Sequence, residues 1–127
     1  MYITIDETDL RPVYRQIAEE IKTLIARGEL HEGMTLPPVR QVAADLGVNL
    51  NTIAAAYREL QREGLVKVRH GSGAVVATRR IAEVSDADLR KAVNASLTHL
   101  ALAGLTRSEI VSIVNEELQQ FFAQRRP

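Results

Sequence analysis

The sequence contains no cysteine, so it can hold neither a disulfide framework nor a thiolate metal site, and the redox compartment stays open on that ground. Long apolar runs are absent too; nothing approaches the roughly 20 residues needed to span a bilayer. The opening Met1-Tyr2-Ile3-Thr4-Ile5-Asp6 lacks the basic and then apolar layout of an export signal. Together these point to the cytoplasm and away from any membrane. No His/Asp/Glu cluster has metal-ligand spacing, and no nucleophile stands with a base. Gly71-Ser72-Gly73 lacks the lysine and helix that complete a phosphate-binding loop. The expectation is a protein that is not an enzyme and uses no cofactor or metal. Internal repeats and low-complexity segments are missing as well.

What is present suits a globular fold. Apolar and charged fractions of 46% and 25% match a soluble domain rather than extended disorder. A length of 127 residues allows one ordinary domain, or a small one with a helical appendage. The net charge is zero, which by itself weighs against a nucleic-acid partner. Its distribution does not. Residues 1–35 hold four basic and seven acidic side chains, and residues 81–127 hold five and six. Residues 36–80 hold seven basic side chains (Arg40, Arg58, Arg62, Lys67, Arg69, Arg79 and Arg80) against three acidic ones. Phosphate attraction follows the local surface, so a basic central segment counts even in a neutral chain.

Periodicity divides the chain into elements. Pro12 suits the opening of a first helix, and Tyr14, Ile17, Ala18, Ile21, Leu24 and Ile25 recur at helical spacing before Gly28. Residues 29–36 are expected to form a loop. Pro37-Pro38 can start a second helix with Val39, Val42, Ala43 and Leu46 on one face, broken at Gly47. Asn49 is a good N-cap for a third, with Ile53, Ala56, Tyr57 and Leu60 facing inward until Gly64. The period then switches to strands: Val66, Val68 and Val75 flank Arg69-His70-Gly71-Ser72-Gly73, which suits a hairpin. Ile3-Thr4-Ile5 is a further short strand candidate. Ser85 or Asp86 caps a fourth helix through Leu89, Val93, Leu97 and Leu100. Thr106-Arg107-Ser108-Glu109 has capping-box spacing for a fifth.

Helix, Gly-centred turn, helix and basic hairpin in that order make a helix-turn-helix with a wing. The expected fold is mainly α with a small β-wing: a winged helix-turn-helix over residues 1–79, then a two-helix region over 80–127. The third helix leaves Leu50, Asn51, Thr52, Ala55, Arg58 and Arg62 away from its apolar stripe. Its first turn would carry base-reading side chains into a major groove. Asn51 has the two-atom fit to adenine, and Thr52 can meet phosphate or a thymine methyl. Arg40 and the start of the second helix can clamp one phosphate, or Arg40 can reach a guanine. At the wing, Gly71 and Gly73 allow close approach, while Arg69, His70 and Ser72 offer donors to a minor groove. Each has a plainer reading: Asn49, Asn51 and Thr52 as cap residues, Arg40 as a solvated cation, and His70 as a turn residue. The joint order favours DNA.

The segment PVYRQIAEEIKTLIARGELHEGMTLPPVRQVAADLGVNLNTIAAAYRELQREGLVKVRHGSGAVV resembles the winged helix-turn-helix domain of the GntR family of bacterial transcription regulators, over roughly residues 10–77. Its spaced anchors include Gly28, Gly33, Leu36-Pro37, Arg40, Leu46-Gly47-Val48, Asn51-Thr52, Ala56-Tyr57, Leu60, Glu63-Gly64-Leu65-Val66 and Gly71-Ser72-Gly73. The short helical remainder is similar to that of the YtrA subfamily. The resemblance implies a homodimer on a palindromic operator, usually repressing its own operon, often with ABC-transporter genes. It also implies DNA contact at Arg40, Asn51, Thr52, His70 and Gly71. Three positions depart from the family pattern: Leu50 where Arg or Pro is frequent, Ala55 where Lys or Arg is frequent, and Ala74-Val75 where Thr-Phe is usual. These suggest different or weaker operator contacts with the same fold.

The last helix carries two adjoining apolar stripes, Ile110, Val114, Leu118 and Phe121 beside Val111, Leu118 and Phe122. So wide an apolar arc needs more cover than one neighbouring helix supplies, and a palindrome reader needs a two-fold axis. The expected dimerisation residues are these with Leu89, Val93, Leu97 and Leu100; the alternative is that both stripes pack within one chain. Two helices enclose little space, so any small-molecule effector is expected at the dimer seam. The competing function is a winged-helix module for protein–protein contact without sequence-specific DNA binding. Exposed Asn51, Thr52, Arg58, Arg62 and Arg69 weigh against it, since such a face should show more apolar and aromatic area.

Overall fold

The computed structural model describes residues 3–69, 73–77 and 85–123. Five helices and a two-stranded antiparallel sheet follow in the order α1 (Val13–Ala26), α2 (Val39–Leu46), α3 (Leu50–Arg62), β1 (Val66–Arg69), β2 (Gly73–Val76), α4 (Asp86–Leu102) and α5 (Arg107–Phe121). The chain divides into two compact units, Met1–Arg79 and Arg80–Pro127. The fold is mainly α with a small β-wing, as the periodicity predicts.

In the first unit, α3 packs chiefly on α1 and also on α2. Its stripe Ile53, Ala56, Tyr57 and Leu60 is buried, meeting Ile17, Ala18 and Ile21 of α1 and Val42 and Ala43 of α2 in one core. Removing these apolar side chains from water is the main favourable term for such a small unit. An ion pair of 2.7 Å between Lys22 Nζ and Glu63 Oε2 ties α1 to the end of α3.

The turn between α2 and α3 follows from local chemistry. Gly47 stands at φ 67° and ψ 33°, the left-handed conformation that a Cβ disfavours, and its N–H donates to the Ala43 carbonyl. Two residues later the Asn49 side chain accepts from the Asn51 N–H at 2.7 Å and opens α3. The expected cap and turn therefore hold. Pro12 and Pro38 each stand one residue before their helices, as N-caps rather than as first helical residues.

Two features differ from the sequence expectation. Ile3–Ile5 belongs to neither strand of the sheet; Ile3 and Ile5 instead pack partly buried on the core. The alternation that suggested a strand records one side meeting the core, without a ladder. The segment 33–36, expected as plain loop, pairs with the wing. Thr35 forms an isolated bridge with Val75, and the Leu36 N–H donates to the Ala74 carbonyl at 2.8 Å. Val76 N–H donates in turn to the Met34 carbonyl, also at 2.8 Å. One bridged residue leaves no period to detect.

Gln16 is a buried polar side chain that carried no sequence signal. Its Oε1 accepts from the Asp6 N–H at 3.0 Å, and its Nε2 donates to the Arg11 carbonyl at 3.1 Å. Both ends of the amide are thus satisfied, and the N-terminal segment is held onto α1.

In the second unit, Ser85 caps α4 by accepting from the Asp88 N–H, and Thr106 with Glu109 forms the full capping box of α5. No residue of either helix is buried in the single chain.

Candidate nucleic-acid interface

On α3, buried and exposed residues fall on opposite sides because successive positions turn by about 100°. Opposite the buried stripe runs a ridge at i, i+4, i+7 and i+11: Asn51, Ala55, Arg58 and Arg62. Asn51, Arg58 and Arg62 are exposed, while Thr52 and Ala55 are half-buried beside them. The expected reading face is therefore assembled on one side of one helix. Leu50, where the resemblance leads one to expect Arg or Pro, is exposed at the first position of α3.

Arg40 is exposed in the first turn of α2, and no side chain caps that helix. An uncapped helix start with an exposed arginine in its first turn is suited to an anion. Asn49 takes the cap role expected of it: its Oδ1 accepts from the Asn51 N–H and holds the start of α3. Arg62 also is engaged, paired with Glu59 one turn earlier. The Arg62–Glu59 pair lies at the surface, where an ion pair is worth little and exchanges readily for phosphate.

The wing follows the expected hairpin, with Val66 opposite Val76 and Arg69 opposite Gly73. Lys67 and Arg69 are exposed on β1, whereas Val66, Val75 and Val76 face the core. His70, Gly71 and Ser72 lie outside the described residues. Val68 is 64% exposed, an apolar side chain turned outward on the wing.

Beneath this surface, the Tyr57 hydroxyl donates to the Pro37 carbonyl at 2.6 Å, and burial pushes the phenol up to about 12. It stays protonated at any physiological pH and remains a donor. Tyr57 thereby supports the start of α2 from α3.

Two polar residues escaped sequence reasoning. Tyr14, counted there only in an apolar stripe, lines a groove with Asn51, Thr52 and Ala55. Gln61, three positions after Arg58, lines a second groove toward the wing. The i, i+3 spacing of Gln61 from Arg58 was the signal available. Among the described residues no group of three or more His, Cys, Asp or Glu could hold a metal ion. No described helix is long and apolar enough to cross a membrane.

In the second unit the expected dimerisation residues lie largely in the open. Leu89, Val93, Leu97, Val114, Leu118 and Phe122 are exposed, by 38% at Leu97 and 60% at Val93. Leu100, Ile110 and Phe121 are half-buried. Val111 is exposed as well, and so is Ile113, which the two stripes had omitted.

A helix-turn-helix whose second helix presents a polar ridge, followed by a basic hairpin, defines a winged helix-turn-helix DNA-binding domain. The pattern of bacterial regulatory proteins of the gntR family matches residues 13–76. The chain belongs to the GntR family of DNA-binding transcriptional regulators, in its YtrA subfamily. It is similar to the uncharacterized HTH-type transcriptional regulator YhcF of Bacillus subtilis, with 35% identity over 80% of this chain and 85% of that protein. It is also 37% identical to the HTH-type transcriptional repressor YtrA of the same organism, over 59% of this chain and 58% of the relative.

Among solved structures, a transcriptional antiterminator from Listeria monocytogenes aligns with a TM-score of 0.78 at 29% identity, covering 95% of this chain and 92% of that one. YtrA from Sulfolobus acidocaldarius, a GntR-family transcription factor, aligns at 0.56 and 35% identity, covering 93% and 97%. The DNA-binding domain of AraR in complex with operator ORX1 aligns at 0.54 and 26% identity, covering 61% and 96%. The family consists of transcription regulators rather than enzymes.

Proposed function

We propose that the chain is a homodimeric cytoplasmic repressor of its own operon, binding a palindromic operator. The α3 ridge enters the major groove and the wing over 67–76 enters the adjacent minor groove. Asn51 reads a base, Thr52 and Ala55 adjoin it, and Arg40, Arg58, Arg62 and Arg69 meet phosphates. The observation that carries this reading is the ridge itself, with Asn51, Arg58 and Arg62 exposed along a helix whose opposite side is core. Similarity to a relative named as a repressor supports the direction of regulation. The absence of any buried residue in α4 and α5 supports the dimer, because apolar helix faces of that extent need cover. Any small-molecule effector belongs at that seam.

The test is fluorescence anisotropy with the promoter DNA of the chain's own operon, across a salt series. Affinity should fall steeply with salt, and a palindrome should be preferred over random duplex by at least about a thousandfold. Equal binding to both would leave a protein–protein role for the ridge. In a transcription assay, adding the protein should lower output from that promoter.

A further inference from the structure

The ridge on α3 is bracketed by two grooves, one on each flank. On one side Pro12, Val13 and Tyr14 at the start of α1 face Asn51, Thr52 and Ala55 across a groove of about 340 Å³. On the other, the C-terminal half of α3 and the wing enclose about 610 Å³, floored by Pro37, Val39, Val68 and Ala74, with Arg58 and Gln61 along α3.

We propose that these two grooves seat the two sugar–phosphate strands bordering one DNA major groove, with the Tyr14 hydroxyl and the Gln61 amide as uncharged phosphate donors on opposite strands. The proposal rests on the DNA-binding reading above and deepens it.

The geometry leads there from elementary dimensions. An α-helix with its side chains is about 10–12 Å across, close to the width of the major groove, so a helix lodged there touches a strand on each flank. A single sugar–phosphate strand separates a major groove from the adjacent minor groove. With α3 in one and the wing in the other, that strand has to cross the space between them. The larger groove is that space. Its apolar floor suits deoxyribose, and Arg58 on its rim supplies the charge complement of phosphate.

Across the ridge, the opposite strand meets the groove that Tyr14 lines. Unlike Tyr57, the Tyr14 hydroxyl has no hydrogen-bond partner among the described residues, and neither has the Gln61 side chain. Both are donors left available on the flanks of a helix whose first turn addresses the bases. Contacts of this kind position a protein on the duplex and carry no sequence information.

The experiment compares wild type, Tyr14→Phe and Gln61→Ala on a short random-sequence duplex and on a palindromic duplex selected by the wild-type protein. Tyr14→Phe keeps the ring packed, and Gln61 is exposed, so thermal melts should be unchanged. Each variant should bind both duplexes about tenfold more weakly, leaving their ratio intact. The slope of log affinity against log salt should not change, because neither variant removes a charge; Arg58→Ala should lower it by about 0.9. Gln61→Glu, which sets a negative charge in the strand's path, should weaken binding further. Affinity of either neutral variant within about twofold of wild type on both duplexes overturns the two-strand seat, as does a loss confined to the selected duplex. Wild type that binds no duplex overturns the DNA-binding reading instead.

Discussion

Tyr57 of α3 donates its hydroxyl hydrogen to the Pro37 carbonyl at 2.6 Å, reaching back across 20 residues to the chain just before α2. This bond joins the reading helix to the helix start that carries Arg40. It lies at the inner edge of the larger groove, so support and contact surface meet there.

Tyr57→Phe removes that donor and keeps the ring. It should lower stability by about 1 kcal/mol, the ordinary worth of a hydrogen bond whose acceptor is left unmatched. Urea denaturation checks it. An unchanged midpoint would mean that water replaces the hydroxyl at Pro37 without loss.

Base and phosphate contacts should separate cleanly in two variants. Asn51→Ala is expected to cost about 1–3 kcal/mol at one base position per half-site, and to relax preference there. Arg69→Ala should weaken binding to every sequence and reduce the salt slope by about 1. Anisotropy on a panel of base-substituted operators distinguishes them, and a uniform loss for Asn51→Ala would remove it from the base-reading set.

Leu118→Glu places a charge in the middle of the exposed apolar face of α5. The variant should sediment as a monomer while the far-ultraviolet spectrum stays helical. Operator affinity should fall at least about tenfold as the two half-sites uncouple. A variant that stays dimeric would move the interface away from α5.

The α5 capping box predicts a pH effect with a definite sign. Hydrogen bonds from the Thr106 backbone N–H, with the Thr106 side chain, hold the Glu109 carboxyl below its ordinary 4.5. A carboxyl depressed in the folded state favours folding above its ordinary value, and the contribution disappears as pH falls through the lower, folded value. Amide exchange in the first turn of α5 should therefore accelerate on acidification relative to its centre, after correction for intrinsic rates. Glu109→Gln should lose the pH dependence.

Much of this protein is determined locally, and so was legible residue by residue. The inward stripe of α3, the Gly47 turn, the Asn49 cap and the Thr106–Glu109 box each depend on neighbours within a turn or two of chain. Helical period and capping chemistry need no distant partner, and that is why the order of elements and the ridge from Asn51 to Arg62 follow from the sequence alone. Features depending on chain segments far apart were decided only by the tertiary structure. The Thr35–Val75 bridge and the Tyr57–Pro37 bond have no period of their own. Tyr14 shows the difference most directly. Its spacing marks it as one more apolar position on α1, and only the packing of α1 on α3 brings it to the same groove as Asn51 and Thr52.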